Sequence, residues 1–313
     1  MKFQISDFDY ISLLNLVQKA FLFTPTPSPL YPPHGGEQGE DVGFIWENDM
    51  KKVTILDIMK MKQDGKKIPV LTAYDYPTAR ILDEAGMPII LVGDSAGMVF
   101  AGCKNTLSVT MDEMRYHTRA VARGSKNALI VTDMPFLSYQ VSIEDARRNA
   151  GLLVREGAEA VKLEGGVIMA DTIKAIVDMD VPVMGHIGLT PQSVHRMGGY
   201  RVQGREKKQR KRLLDDARAV ERAGAFCVVL EGIPADLAKE ITERISIPTI
   251  GIGAGPSCDG QVLVIHDVLG LYDDVKPRFI KRYVNLKQII SSAVNEYIGD
   301  VREEKFPGKE HSF

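Results

Sequence analysis

The run Ile89-Ile90-Leu91-Val92-Gly93-Asp94-Ser95 sets the reading of the whole chain: four apolar, mostly β-branched residues, then a glycine, an acid and a hydroxyl. It has no polar–apolar alternation, which suits a strand buried on both faces of a parallel sheet. Similar runs recur at residues 70–73, 128–132, 160–163, 183–185, 226–230, 249–252 and 261–265. Eight strands with helical crossovers predict an α/β fold of one domain, a closed (β/α)8 TIM barrel, with an open doubly wound sheet as the alternative.

The segments between the runs carry helix signals. Thr110 and Glu113 are spaced as a capping box, Ser142 opens a helix, and Thr190-Pro191 reads as an N-cap with proline at the first helical position. Leu213, Leu214, Ala217 and Val220 form one apolar stripe, and Leu237, Ile241 and Ile245 another. Gly86, Gly157 and Gly224 each close a helix just before a strand. Strands seven and eight are about a dozen residues apart, so the helix between them must be short or missing. Residues 278–298 read as a long terminal helix, on Phe279, Tyr283, Leu286, Ile290, Val294 and Tyr297.

The chain has 313 residues and is 44% hydrophobic, enough for a large core. A formal net charge of -2 gives no overall field that would draw nucleic acid. Three cysteines without metal-ligand spacing suit a reducing compartment, and a cytoplasmic location is expected. No apolar run is long enough to span a membrane. Residues 1–49 contain a Pro- and Gly-rich stretch, TPTPSPLYPPHGG. They are expected to form an N-terminal extension outside the fold, poorly structured, with residues 50–313 as the catalytic barrel and Met50 as the biological start.

Barrel chemistry sits at the carboxyl ends of strands. Strand two ends in Asp94-Ser95, strand three in Asp133, strand four in Lys162 and Glu164, strand five in His186 and strand six in Glu231. One such residue is commonly structural, but five successive strands delivering ionisable groups to one rim are not explained that way. Carboxylates buried together need a cation. Hard oxygen ligands without cysteine point to Mg²⁺, which takes one or two carboxylates plus water and substrate oxygens. Such a site can activate a 2-oxo carboxylate, with Lys162 adding positive charge and Glu231 as the candidate base.

Several stretches together resemble one family. They are Leu71-Thr72-Ala73-Tyr74-Asp75, Val92-Gly93-Asp94-Ser95, Asp133-Met134-Pro135-Phe136, Val161-Lys162-Leu163-Glu164-Gly165-Gly166, Gly185-His186-Ile187-Gly188-Leu189-Thr190-Pro191-Gln192, Gly198-Gly199-Tyr200-Arg201-Val202-Gln203-Gly204 and Ile250-Gly251-Ile252-Gly253-Ala254-Gly255. Their order resembles that of the ketopantoate hydroxymethyltransferases, from about Met50 to Phe313. The resemblance implies a hydroxymethyl transfer from 5,10-methylenetetrahydrofolate to 3-methyl-2-oxobutanoate, giving 2-dehydropantoate on the way to pantothenate. It implies Asp94 and Asp133 on Mg²⁺, with Glu164 joining directly or through water. It implies Ser95 and Lys162 at the substrate oxygens, Glu231 as general base and His186 lining the site. It also implies a homo-oligomer, commonly a decamer. It does not locate the folate pocket.

Other features have plainer readings. The glycines at 251–255 lack the Lys-Ser/Thr of a phosphate loop and read as a tight turn. The basic run 205–212 reads as a solvated helix start, with a folate polyglutamate tail as the sharper alternative. His117 is expected at the surface or an interface, and His195 and His266 are expected to be structural. Two rival functions are a carbon–carbon lyase of the isocitrate-lyase type and a non-catalytic metabolite-binding barrel. The catalytic Lys-Lys-Cys-Gly-His loop of those lyases is absent from the sequence.

Overall fold

The computed structural model of the protein describes residues 51–272 and 278–313. The expectations for residues 1–49 and for a start at Met50 lie outside the described residues.

The strands are β1 (Ile68–Thr72), β2 (Ile89–Val92), β3 (Leu129–Asp133), β4 (Ala160–Glu164), β5 (Val183–Gly188), β6 (Cys227–Glu231), β7 (Thr249–Ile252) and β8 (Gly260–Leu263). They form a closed barrel in sequence order, every pair parallel, with β8 returning to β1 through the register Ile68↔Gly260. Closure excludes the open sheet. No helix separates β7 from β8, as their spacing demands.

Strand parity divides the core in two. Val70, Ile89, Leu91, Leu129, Val131, Ala160, Met184, Cys227, Val229, Ile250 and Val262 cluster inside the barrel. The intervening residues, among them Ile90, Val92, Ile130, Val161, Leu163, Val183, Val228 and Leu230, meet the surrounding helices. The helix Ile55–Gln63 belongs to the inner core through Ile58, which is fully buried. Its Lys62 donates to the carbonyls of Thr242, Ile245 and Ile247 and pairs with Asp259 at 3.0 Å. Ile245, Ile247 and Asp259 precede β7 and β8, so this helix stoppers the amino end of the barrel.

The caps at Thr110 and Ser142 are in place, whereas Thr190 precedes Pro191 in a three-residue 3-10 turn and its side chain makes no capping bond. Thr110 and Glu113 form a reciprocal capping box, and Ser142 accepts from the Asp145 N–H. Gly86, Gly157 and Gly224 all have positive φ at the hand-over from helix to strand. Three further expectations are corrected. Ile265 starts the short helix Ile265–Leu269 and does not end β8; its N–H donates to Thr72 Oγ1. The terminal helix is Leu286–Arg302, capped by Asn285, so Phe279 and Tyr283 lie in the preceding loop. His117 is buried, its Nδ1 2.7 Å from the Tyr74 carbonyl and its ring packed edge-on against Phe100 and Tyr116. No helix among the described residues is long and apolar enough to cross a membrane.

Candidate active site

The parity that fills the barrel with aliphatic side chains delivers charge at its carboxyl end. Leu129 and Val131 are followed on the same face by Asp133, Ala160 by Lys162 and Glu164, Met184 by His186, and Cys227 and Val229 by Glu231. Asp133 is in register with Lys162, and Glu164 with His186. Gly188 is in register with Glu231 at φ +98, and a Cβ there would lie 2.3 Å from the Glu231 carbonyl. Glycine therefore permits the close approach that seats Glu231.

All seven residues expected from the sequence line one cavity of ≈ 520 Å³: Asp94, Ser95, Asp133, Lys162, Glu164, His186 and Glu231. The Asp94 N–H donates to Asp133 Oδ2 at 3.0 Å. Lys162 Nζ lies 3.0 Å from Asp133 Oδ1 and 3.3 Å from His186 Nδ1. His186 stands between two glutamates, its Nδ1 3.6 Å from Glu164 Oε1 and its Nε2 3.2 Å from Glu231 Oε2. Ser95 Oγ is 2.8 Å from the hydroxyl of buried Tyr74, which holds it toward the cavity.

The electrostatics are lopsided. Among the described lining residues, Asp94, Asp133, Glu164 and Glu231 gather about the ammonium of Lys162, with the guanidinium of Arg201 on the same cavity. Burial and then the Asp133 charge push the Asp94 carboxyl up to about 7. Burial and Asp94 push Glu164 well above the carboxylate range. Burial and Lys162 hold His186 below the usual imidazole value, so it is neutral at pH 7. Burial opposes the charge on Lys162, but Asp133, Asp94 and Glu164 outweigh it and keep the ammonium protonated.

A divalent cation fits this donor set. Asp133 Oδ1 is buried and near Lys162 but not aligned to accept its hydrogen bond, which leaves lone pairs facing the cavity. A second positive centre would also relieve the repulsion that raises Asp94. Among the described residues no three His, Cys, Asp or Glu side chains gather to hold a metal unaided. Two carboxylates with the remaining positions left to water and substrate match the habit of Mg²⁺.

Two supporting residues had no role in the sequence reading. Gln192, the last residue of the Gly-His-x-Gly-Leu-Thr-Pro-Gln motif, donates through Nε2 to Asp94 Oδ2 at 2.9 Å and to the Met134 carbonyl at 3.0 Å. Its backbone N–H donates to Glu164 Oε2 at 3.0 Å, and its Oε1 accepts from Tyr139 and Gln140. Tyr139, fully buried, also accepts from the Glu164 N–H. The motif marked Gln192 as notable; Tyr139 carried no signal beyond its place after β3. His195 is exposed, and His266 packs against Tyr74. Arg210 of the basic run pairs with Asp236 and lies 3.6 Å from Glu240.

The sequence model of the family described as ketopantoate hydroxymethyltransferase matches residues 52–309. The chain is 65% identical over 264 residues to a 3-methyl-2-oxobutanoate hydroxymethyltransferase of Geobacter metallireducens, covering 84% of this chain and 99% of that protein. It is 66% identical to proteins of the same name from Geobacter sulfurreducens, covering 83% and 98%, and Geotalea uraniireducens, covering 84% and 100%. A phosphonopyruvate hydrolase solved with oxalate and Mg²⁺ superposes with a TM-score of 0.53 at 12% identity, covering 83% of this chain and 93% of that one. A 2,3-dimethylmalate lyase superposes with a TM-score of 0.53 at 16% identity, covering 81% and 89%. At such identities the likeness to these two shows the fold alone.

Proposed function

The chain belongs to the ketopantoate hydroxymethyltransferase family, and on that premise we propose how its rim transfers a hydroxymethyl group from 5,10-methylenetetrahydrofolate to 3-methyl-2-oxobutanoate. The observation that carries the reading is the meeting of Asp94, Asp133, Lys162 and Glu231 on one cavity.

Asp94 and Asp133 would hold Mg²⁺, with Glu164 beside them. When bound, the cation polarises the oxygens of the 2-oxo acid and makes the hydrogen on C3 more acidic. The Lys162 ammonium and Ser95 hydroxyl bind the carboxylate and keto oxygens. Glu231 takes the C3 proton. Neutral His186, its Nε2 3.2 Å from Glu231 Oε2, lines the substrate beside that carboxylate. Tyr139 and Gln192 keep Glu164 and Asp94 in place.

The electron pair left at C3 forms the new bond to the donor's methylene carbon. Both bonds from that carbon to folate nitrogens break. Water supplies the hydroxyl oxygen, and the nitrogens gain one proton from water and one from C3. The products are 2-dehydropantoate and tetrahydrofolate.

We read residues 50–313 as the catalytic unit, the location as cytoplasmic and the assembly as the family's homo-decamer. Oligomerisation is supported by the terminal helix Leu286–Arg302, which buries none of its residues and exposes Ile289, Ile290, Val294 and Tyr297. The lyase and binding-barrel readings have no observation in their favour. Incubation of 3-methyl-2-oxobutanoate in D₂O with enzyme and Mg²⁺ tests the proposal. Deuterium should enter C3, and adding methylenetetrahydrofolate should yield 2-dehydropantoate; no exchange and no product would remove it.

A further inference from the structure

A five-carbon 2-oxo acid fills only a minor part of a ≈ 520 Å³ cavity, a size that encloses a much larger ligand. The groups assigned to the oxo acid end β2 to β6. Beyond Glu231 the cavity continues over the ends of β7 and β8, where its wall turns apolar: Ile252, Leu263, Val264, Phe279 and Ile280. Carbon–carbon bond formation requires the donor's methylene group beside C3, so the rest of the donor must lie in space continuous with Glu231.

One carboxylate on the described lining lies outside the catalytic cluster. It is Asp267, on the short helix Ile265–Leu269 that follows β8. Burial pushes this carboxyl up, with Arg282 acting in the opposite sense. A half-buried acceptor beside an apolar wall suits a flat heterocycle that carries adjacent N–H donors on one edge. The pyrimidine end of a pterin has such an edge, with its 2-amino group and the neighbouring ring N–H. Two donors can meet two carboxylate oxygens, and the ring faces lie against aliphatic and aromatic side chains.

We infer that the β7–β8 arm of the cavity is the pterin pocket and that Asp267 is its anchor, accepting from the 2-amino group and the adjacent ring N–H. The inference rests on the transferase reading, because it identifies where the second substrate of that reaction sits. It also fits the placement of charge in the cavity: Asp94, Asp133, Lys162, Glu164, His186 and Glu231 stand at the ends of β2 to β6, and Asp267 is the one carboxylate of the described lining beyond β8.

The test measures tetrahydrofolate binding by calorimetry, using the full chain saturated with Mg²⁺ and 3-methyl-2-oxobutanoate. Asp267→Asn keeps the shape but replaces one acceptor with a donor; Asp267→Ala removes both acceptors. Each should weaken tetrahydrofolate by ~10- to 100-fold, the effect of losing hydrogen bonds to a charged group. A second arm needs no variant: the 2-desamino analogue should bind the unaltered protein roughly 10-fold more weakly than tetrahydrofolate. That preference should vanish in Asp267→Ala. Equal affinity of the unaltered protein for both ligands would overturn the inference. So would undiminished tetrahydrofolate binding by both variants, which would leave Asp267 without a role in the pocket. Exchange at C3 without folate separates the two proposals. Its absence from the unaltered protein defeats the transferase reading, whereas its presence with a null result at Asp267 defeats only the pterin pocket.

Discussion

The side-chain amide of Gln192 donates to Asp94 Oδ2 at 2.9 Å while the backbone N–H of the same residue donates to Glu164 Oε2 at 3.0 Å. One residue after β5 thus fixes carboxylates that follow β2 and end β4. Gln192→Leu should leave the buried Asp94 oxygen without its donor, a loss of ~1–3 kcal/mol. The expected outcome is ~10- to 100-fold weaker Mg²⁺ binding by calorimetry, with the barrel still folded by circular dichroism. Unchanged affinity would show that Asp94 holds its place without help.

Asp94 also predicts a pH signature for the metal-free protein. Its folded pKa is pushed up to about 7, above the value of about 3.9 in an unfolded chain. Its favourable contribution is therefore present below the unfolded pKa and lost as pH rises through the folded pKa. The Tm of metal-free protein should fall between about pH 5 and pH 7.5, and Asp94→Asn should flatten that fall. Parallel Tm profiles for the two proteins would contradict the assignment.

Glu231→Gln removes the proposed base but keeps the side chain's size. Mg²⁺ and 3-methyl-2-oxobutanoate should bind as before, while C3 exchange slows by ~10²- to 10⁴-fold, the usual weight of a positioned base. Exchange at the original rate would exclude Glu231 from proton removal.

Asp83 is a structural anion far from the rim. It accepts from Ser125 Oγ, from the N–H groups of Lys126, Asn127 and Ala128, and from the Asn127 amide. Burial raises its pKa, but these donors, with Ala128 first, outweigh it and hold the carboxyl below the usual value. Its stabilisation is thus present above the unfolded pKa and lost as pH falls through the folded one. Asp83→Asn should cost ~1.5–3 kcal/mol in urea unfolding at pH 7 and less near pH 3. A cost independent of pH would mean that the charge is not what matters.

Val294→Glu on the terminal helix should lower the assembly mass in light scattering if Ile290, Val294 and Tyr297 pack between copies. An unchanged mass would place the interface elsewhere.

The architecture was readable because a buried parallel strand carries a dense local signature and the caps of its neighbours are short-range chemistry. The site was readable for the same reason: parity alone puts Asp133, Lys162, Glu164, His186 and Glu231 on the face occupied lower down by Val131, Ala160, Met184 and Val229. The contacts that support the site were hidden. Gln192 meets Asp94 across 98 positions of chain, and Tyr139 meets Glu164 across 25. His117 misled because its flanking arginines suggest solvent, whereas the loop carrying Phe100 folds over it. The terminal helix was placed too early because Phe279 and Tyr283 fit its periodicity, while the cap at Asn285 is a local feature that overrides periodicity.

The helix Ile55–Gln63, pinned through Lys62, makes the barrel a cul-de-sac. Traffic can use only the mouth at the other end. Under the proposed assignment the oxo acid and the folate donor would share that one mouth, so an oxo acid held at Lys162 and Asp133 would leave only after the donor beside Glu231 had cleared the way.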